Sequence, residues 1–286
     1  MSIKSFFTGN LRLRSLLFPV FNRLNPGDIT IRHHYTGDRL RIHSFRHRGY
    51  WWHGSNREAE SIAAFRTLIR SGATAFDVGT HVGYMSQLFS QLVGPSGRVV
   101  SFEPGENNLP YTRANLANHA NITLVEKAVG PNSGTATIYL EDVTGQNNSL
   151  VKDYGGLGST SQYSVKAHVR EVSIPMVSLD DFVRSSGLVP DFVKVDVEGF
   201  ELGVLAGAGE TLKSHHPMLM VEVGRPSTVG VLALLHALGY VAYRPDGRPI
   251  RTIADRVENT FFLHPEHHAA SIRALGWPDS PSIAID

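Results

Sequence analysis

The stretch Asp77-Val78-Gly79-Thr80-His81-Val82-Gly83 divides an apolar segment ending at Asp77 from a run with helical spacing, and Phe102-Glu103-Pro104 closes the next apolar segment. A strand end, a glycine turn, a helix and a second strand end bearing a carboxylate constrain this chain more than any other feature. This is the unit with which an α/β sheet holds a nucleoside at the carboxyl ends of its strands. A second pair of acidic strand ends follows, at Val193-Lys194-Val195-Asp196-Val197-Glu198-Gly199 and at Met220-Val221-Glu222. Four acidic strand ends along one crevice read as an enzyme.

The surrounding pattern supports a layered α/β domain. Continuous apolar strands are predicted near 74–77, 98–102, 121–125, 191–195 and 217–223, with helices near 83–92, 107–118, 201–212 and 229–238. Strands apolar on both faces between amphipathic helices imply a mostly parallel sheet covered on both sides. Segments 240–243 and 259–263 read as the last strands, an antiparallel edge pair. Ahead of the sheet, Ile62, Phe65, Leu68 and Ile69 recur at helical spacing. Residues 1–57 form a basic extension with short alternating stretches between turn signals. The domain proper is expected over 58–265, with a loop or hairpin insertion at 134–175 whose Asn147, Asn148 and Ser149 sit at an active-site rim. Residues 266–286 are a tail, and His264, His267 and His268 read as surface histidines.

Composition excludes several chemistries. The 286 residues, 42% hydrophobic and 19% charged, suffice for a full core. With no cysteine, disulfides, thiolate nucleophiles and cysteine-ligated zinc are all excluded, as befits a cytoplasmic protein. The formal charge of +1 hides an asymmetry: residues 1–50 carry nine Lys/Arg against two acids, and the remainder eighteen against twenty-four. The basic segment is either a surface for phosphate or an anionic membrane, or a solvated face beside an acidic domain. Residues 11–21 are apolar but broken by Arg12 and Arg14, short of the roughly 20 residues of a spanning helix. Peripheral membrane contact by this segment stays open as an alternative to a purely cytoplasmic location.

The turn is neither a Gly-x-Gly-x-x-Gly pyrophosphate fingerprint nor a phosphate loop, because His81 replaces the central glycine and no Gly-Lys-Ser/Thr follows. An adenosyl ligand without phosphates fits better. Gly79 lets backbone approach that ligand and Gly83 lets the helix start close to it. Glu103 is placed to accept from two ribose hydroxyls, and Asp77 from a cationic amino group. Asp196 and Glu198 are two apart on an extended segment and Glu222 ends the adjacent strand. Together they offer three oxygen ligands for Mg2+ or a related divalent ion. Without a metal, Asp196 holds the ligand's amino group or acts as base, and Glu198 and Glu222 accept from turn amides. His81 is a base or a packed hydrogen-bond donor. His53 is a further candidate base if Trp51 and Trp52 wall a cleft, and a bystander if they cover a sheet edge.

These motifs resemble the FkbM family of S-adenosylmethionine-dependent methyltransferases. The resemblance rests on Asp77-Val78-Gly79 with Val82-Gly83, Phe102-Glu103-Pro104, Asn108 and Asn115, Lys127-Ala128-Val129-Gly130, Asn148-Ser149-Leu150, Ser178-Leu179-Asp180-Asp181, Lys194-Val195-Asp196-Val197-Glu198-Gly199 with Glu201, and Glu222. It implies a Rossmann-like class I methyltransferase fold with a mostly parallel seven-stranded sheet and an antiparallel edge strand. It further implies that Asp77 and Gly79 line the methionine part of S-adenosylmethionine, that Glu103 binds its ribose and that Lys127 to Val129, with Ala128 between them, border the adenine; His81, Gly83, Asn108 and Asp196 are expected to complete the cofactor site. Catalysis is expected at Asp196, Glu198 and His53. The expected reaction is O-methylation of a sugar, glycan component or secondary metabolite, with no stable nucleic acid partner. Methylation of RNA or protein docked on the basic segment, or noncatalytic adenosyl-ligand binding, are the competing readings. The family pattern has asparagine where this chain has His81.

Overall fold

The computed structural model describes residues 26–56, 58–141, 145–152, 154, 168–224 and 227–278. Residues 11–21, on which the expectation of membrane contact rests, lie outside them. Among the described residues no helix is long and apolar enough to cross a membrane.

The described residues begin with an antiparallel hairpin, β1 (Asp28–Arg32) and β2 (Arg39–His43), then a short helix α1 (Arg48–His53) and α2 (Ala59–Leu68). The hairpin shares the core of the main domain: Leu40 and Ile42 are fully buried in the same cluster as Phe65 and Phe89. Asn115 explains the docking, since its amide accepts from Arg41 N–H at 2.6 Å and donates to the carbonyls of Arg41 at 2.9 Å and Val82 at 2.7 Å. One side chain thereby ties the extension to the glycine turn.

The central elements are β3 (Thr74–Val78), α3 (Tyr84–Val93), β4 (Arg98–Phe102), α4 (Leu109–Leu116) and β5 (Ile122–Val125). A smaller sheet follows, formed by β6 (Ala128–Val129), β7 (Gly134–Glu141) and β8 (Val169–Val177), where β7 and β8 are the two arms of the expected insertion. The chain then returns through α5 (Leu179–Ser186), β9 (Phe192–Val195), α6 (Glu201–Ala206), α7 (Gly209–His215), β10 (Met218–Glu222), α8 (Thr228–Ala237), β11 (Val241–Tyr243), β12 (Asn259–Leu263) and α9 (Pro265–Leu275). Local signals set these bounds. Ser178 caps α5 by accepting from Asp181 N–H, and Gly187 ends it in the left-handed region that glycine adopts without strain.

The seven-stranded sheet has the order β11-β12-β10-β9-β3-β4-β5. Strands β5, β4, β3, β9 and β10 run parallel, while β12 is antiparallel to both of its neighbours. The antiparallel strand therefore stands one place inside the edge, and the edge itself is β11, which runs with the others. Side chains alternate between two cores, as a sheet covered on both faces requires. Phe65, Phe89, Phe192 and Phe261 pack edge to face or tilted on one side, and Phe76, Phe102 and Phe182 on the other. The helix expected over 201–212 is broken into α6 and α7, and the first part of the expected tail is helical, over Pro265–Leu275. His268 in α9 is buried, so it is not a surface histidine.

Candidate active site

The carboxyl ends of β3, β4, β9 and β10 open onto a cavity of about 360 Å³. This is where a parallel sheet presents its ligand site. Gly79, His81, Glu103, Asn108, Ala128, Val129, Asp196, Glu198 and Glu222 all line it, so most of the expected residues converge.

The turn after β3 is built by close backbone approach. Gly79 lies at φ 86°, and a Cβ there would stand 1.7 Å from the backbone oxygen of Asp196. His81 lies at φ 53°, in the left-handed region that asparagine and histidine tolerate better than most side chains. Its N–H donates to Glu103 Oε2 at 2.7 Å and its Nδ1 pairs with the Tyr50 hydroxyl at 2.9 Å. The His81 ring stacks on Tyr50 and meets His47 edge to face, an aromatic wall and not an exposed base.

Glu103 is buried, and its Oε1 accepts from Gly105 N–H at 2.9 Å and from Asn108 Nδ2 at 3.2 Å. Burial pushes its carboxyl up to about 7 against the downward pull of these donors. With three hydrogen bonds accepted, the carboxylate keeps lone-pair capacity for ligand hydroxyls. Asn108 Oδ1 in the same wall is buried with no hydrogen-bond partner among the described residues.

The second group of acids gathers around Lys194, whose Nζ lies 2.9 Å from Asp196 Oδ2 and 3.6 Å from Asp77 Oδ1. Burial alone would lower the ammonium pKa; the charges of Asp196 and Asp77 outweigh it and hold the group firmly protonated. Oxygens of Asp196, Glu198 and Glu222 lie within 4.8 Å of one another. The Asp196 charge, then burial, pushes Glu222 well above the usual carboxylate range. Burial first, then Asp196, pushes Glu198 up to about 8. Tyr154 donates to Glu198 Oε2 from the insertion, and Ser149 Oγ donates to the Glu198 carbonyl at 2.7 Å. Asn148 also lines the cavity, beside Gly145, Gln146 and Leu150, and pairs with Asn107 at 2.8 Å; Asn147 and Ser149 are not in the wall.

Three expectations are corrected. Asp77 is fully buried behind the turn, accepts from Ser86 Oγ at 2.5 Å and does not line the cavity; it anchors Lys194 instead. Gly83 faces α4, where a Cβ would stand 2.9 Å from Leu116 Cδ2, so its role is packing and not ligand approach. His53 is exposed at the end of α1 and is absent from the cavity wall, while Trp51 turns its indole N–H to the Ser44 carbonyl. The residue of that segment that enters the wall is Tyr50. Tyr50, Glu58, Lys194 and Tyr154 were missed as site residues. Only Lys194 carried a signal, a lone cation at an acidic strand end.

The Methyltransferase FkbM domain matches residues 77–242, a span carrying both pairs of acidic strand ends. The chain belongs to the FkbM methyltransferase family. Methyl transfer from S-adenosylmethionine goes with that membership. Curated relatives include a probable cobalt-precorrin-6B C(15)-methyltransferase (decarboxylating) of Thermoplasma volcanium, 26% identical over 60% of this chain and 87% of its own length. They also include the 2-O-methyltransferase NoeI of Sinorhizobium fredii, 25% identical over 56% of this chain and 68% of its own. Among solved structures, the methyltransferase FkbM of Methylobacillus flagellatus aligns with a TM-score of 0.42 at 20% identity, covering 66% of this chain and 43% of that one.

The FkbM cavity fits its cofactor on its own chemistry. Glu103 and Asn108 offer acceptors to a ribose, and Ala128 and Val129 an apolar border.

Proposed function

We propose that this FkbM-family enzyme methylates a hydroxyl oxygen of a saccharide or a related polyhydroxylated small molecule, with Asp196 receiving the hydroxyl proton. One observation carries the reading: a single cavity joins the Glu103 wall to the Asp196, Glu198 and Glu222 cluster, so cofactor and proton acceptor share one space. S-adenosylmethionine, when bound, supplies an activated methyl carbon. The chain contributes positioning and proton removal. Lys194 holds Asp196 from below at 2.9 Å, and its ammonium favours the charged form of that carboxylate. On Asp196 an acceptor hydroxyl can then lose its proton as its oxygen attacks. The 2-O-methyltransferase among the relatives supports oxygen as the acceptor atom.

A second reading places a divalent cation on the same three acids. Their oxygen-only donor set suits a hard ion such as Mg2+, which would lower the pKa of a coordinated hydroxyl. Exhaustive chelation separates the readings: loss of turnover restored by Mg2+ selects the metal.

The deciding experiment incubates the purified protein and isotopically labelled S-adenosylmethionine with separate saccharide, RNA and protein pools, followed by mass spectrometry. Label on a saccharide oxygen is expected. Label confined to RNA or protein overturns the proposal, as does cofactor binding without any S-adenosylhomocysteine.

A further inference from the structure

At the end of the sheet opposite the cavity, three histidines face one another. Strands β10 and β12 are antiparallel neighbours with Leu219 opposite Phe262, so the turn entering β10 and the residue leaving β12 meet on one side. His216 occupies that turn, His264 follows β12, and His267 stands in the first turn of α9. The other ends of the same two strands carry Glu222 and Asn259 into the cavity. Five residues of strand, about 17 Å, therefore separate the two places.

The geometry is that of a ligand set. A potential donor nitrogen from each histidine lies within 4.8 Å of the other two. The His216 and His267 rings stack at 3.8 Å, and His264 meets them edge to face at 5.0 and 4.6 Å. We propose that His216, His264 and His267 bind a transition metal of the Zn2+ class, which pins the start of α9 to the turn entering β10.

Three observations support the assignment. An all-imidazole set selects Zn2+, Ni2+ or Cu2+ over hard ions, and three histidines with water in the fourth position satisfy tetrahedral zinc. His264 Nδ1 is buried with no hydrogen-bond partner among the described residues, an orphan in a fold that pairs its buried polar atoms. His268 fastens the backbone of two of the ligands together. His264 N–H donates to His268 Nδ1 at 2.8 Å, so the ring proton sits on Nε2 and donates to the His216 carbonyl at 2.7 Å. The ring thus fixes the spacing of the two backbones that carry His264 and His216. Stacked rings point their in-plane lone pairs in parallel, so closure on an ion requires one ring to turn. His267 is the exposed member of the three, so its ring is the one with room to turn off the His216 face.

The proposal is independent of the methyl-transfer reading, and its test uses untagged full-length protein stripped with chelator. Zn2+ is titrated calorimetrically and Co2+ by visible absorption, with thermal denaturation as a third readout. One Zn2+ per chain, four-coordinate Co2+ bands and a raised melting temperature are expected. All three effects should vanish in His267→Ala, whose exposed position leaves the fold intact. They should persist in Asp196→Asn, which alters only the cavity. His268→Ala should weaken Zn2+ binding by about 10- to 100-fold. No binding at micromolar Zn2+, binding unchanged in His267→Ala, or binding lost in Asp196→Asn would each overturn the assignment.

Discussion

Gly79 and Asp196 touch through backbone alone: the space a Cβ on Gly79 would fill lies 1.7 Å from the Asp196 carbonyl oxygen. The contact sets the distance between the ends of β3 and β9, and with it the position of the Asp196 carboxylate. Gly79→Ala adds left-handed strain and forces the two strand ends apart. It should cost at least about 2 kcal/mol of stability in urea denaturation and abolish cofactor binding. A normally stable, binding-competent variant would show that the contact is dispensable.

Lys194 is the buried cation shared by Asp77 and Asp196. Removing it in Lys194→Met leaves Asp77 charged in the core, at a cost of about 3–5 kcal/mol. Asp77→Asn in the same chain should restore part of that loss. A single variant as stable as wild type in equilibrium denaturation would refute the ion-pair account.

Glu103→Gln keeps the shape of the wall and removes its charge. Loss of a charge-assisted pair with ligand hydroxyls should weaken S-adenosylmethionine by about 10- to 100-fold. Isothermal titration with an intact circular dichroism spectrum is the check, and unchanged affinity rejects the ribose role.

Asp196→Asn should retain cofactor affinity while turnover falls by about 10²- to 10⁴-fold, the range expected for loss of a positioned proton acceptor. Equal loss of binding and turnover would move Asp196 into the cofactor pocket. Activity at the wild-type level would remove it from the mechanism.

Glu103 and Glu198, held up at about 7 and 8 in the folded chain, start from an ordinary 4.5. The folded state therefore keeps protons that the unfolded chain has released. Their stabilisation is complete below 4.5 and fades as pH climbs through the folded values. Buried His33, His47 and His268 are pushed down and work in the opposite direction at lower pH, which leaves the interval from 6.5 to about 8 for the carboxyls. The melting temperature should fall across that interval in the ligand-free enzyme and fall less in Glu198→Gln. A flat or rising profile would contradict the buried-carboxyl picture.

Much of this was legible in the sequence because the information was local. The strand ends at Asp77, Glu103, Asp196 and Glu222 followed from apolar runs broken by glycine and acid. Ile62, Phe65, Leu68 and Ile69 are all buried, as their spacing required. What failed depended on long-range placement. Periodicity gives β11 and β12 but not the order in which they add to the sheet. Asp77 sits at a strand end like Asp196, yet its side chain falls on the buried side of the turn. In the aromatic run, Tyr50 and not His53 enters the wall. Tyr154 arrives from a polar insertion with no helical or strand period to place it.

Among the described residues, four that are not glycine hold a left-handed backbone: Glu58, His81, Glu198 and His216. Three of them border the methylation cavity and the fourth belongs to the histidine group. Glycine at any of these positions would relieve torsional tension, so the chain tolerates a weaker scaffold around the cavity and the histidine group. Engineering this enzyme for heat resistance should therefore begin elsewhere in the sequence, since the easiest gains in robustness coincide with the side chains whose aim matters most.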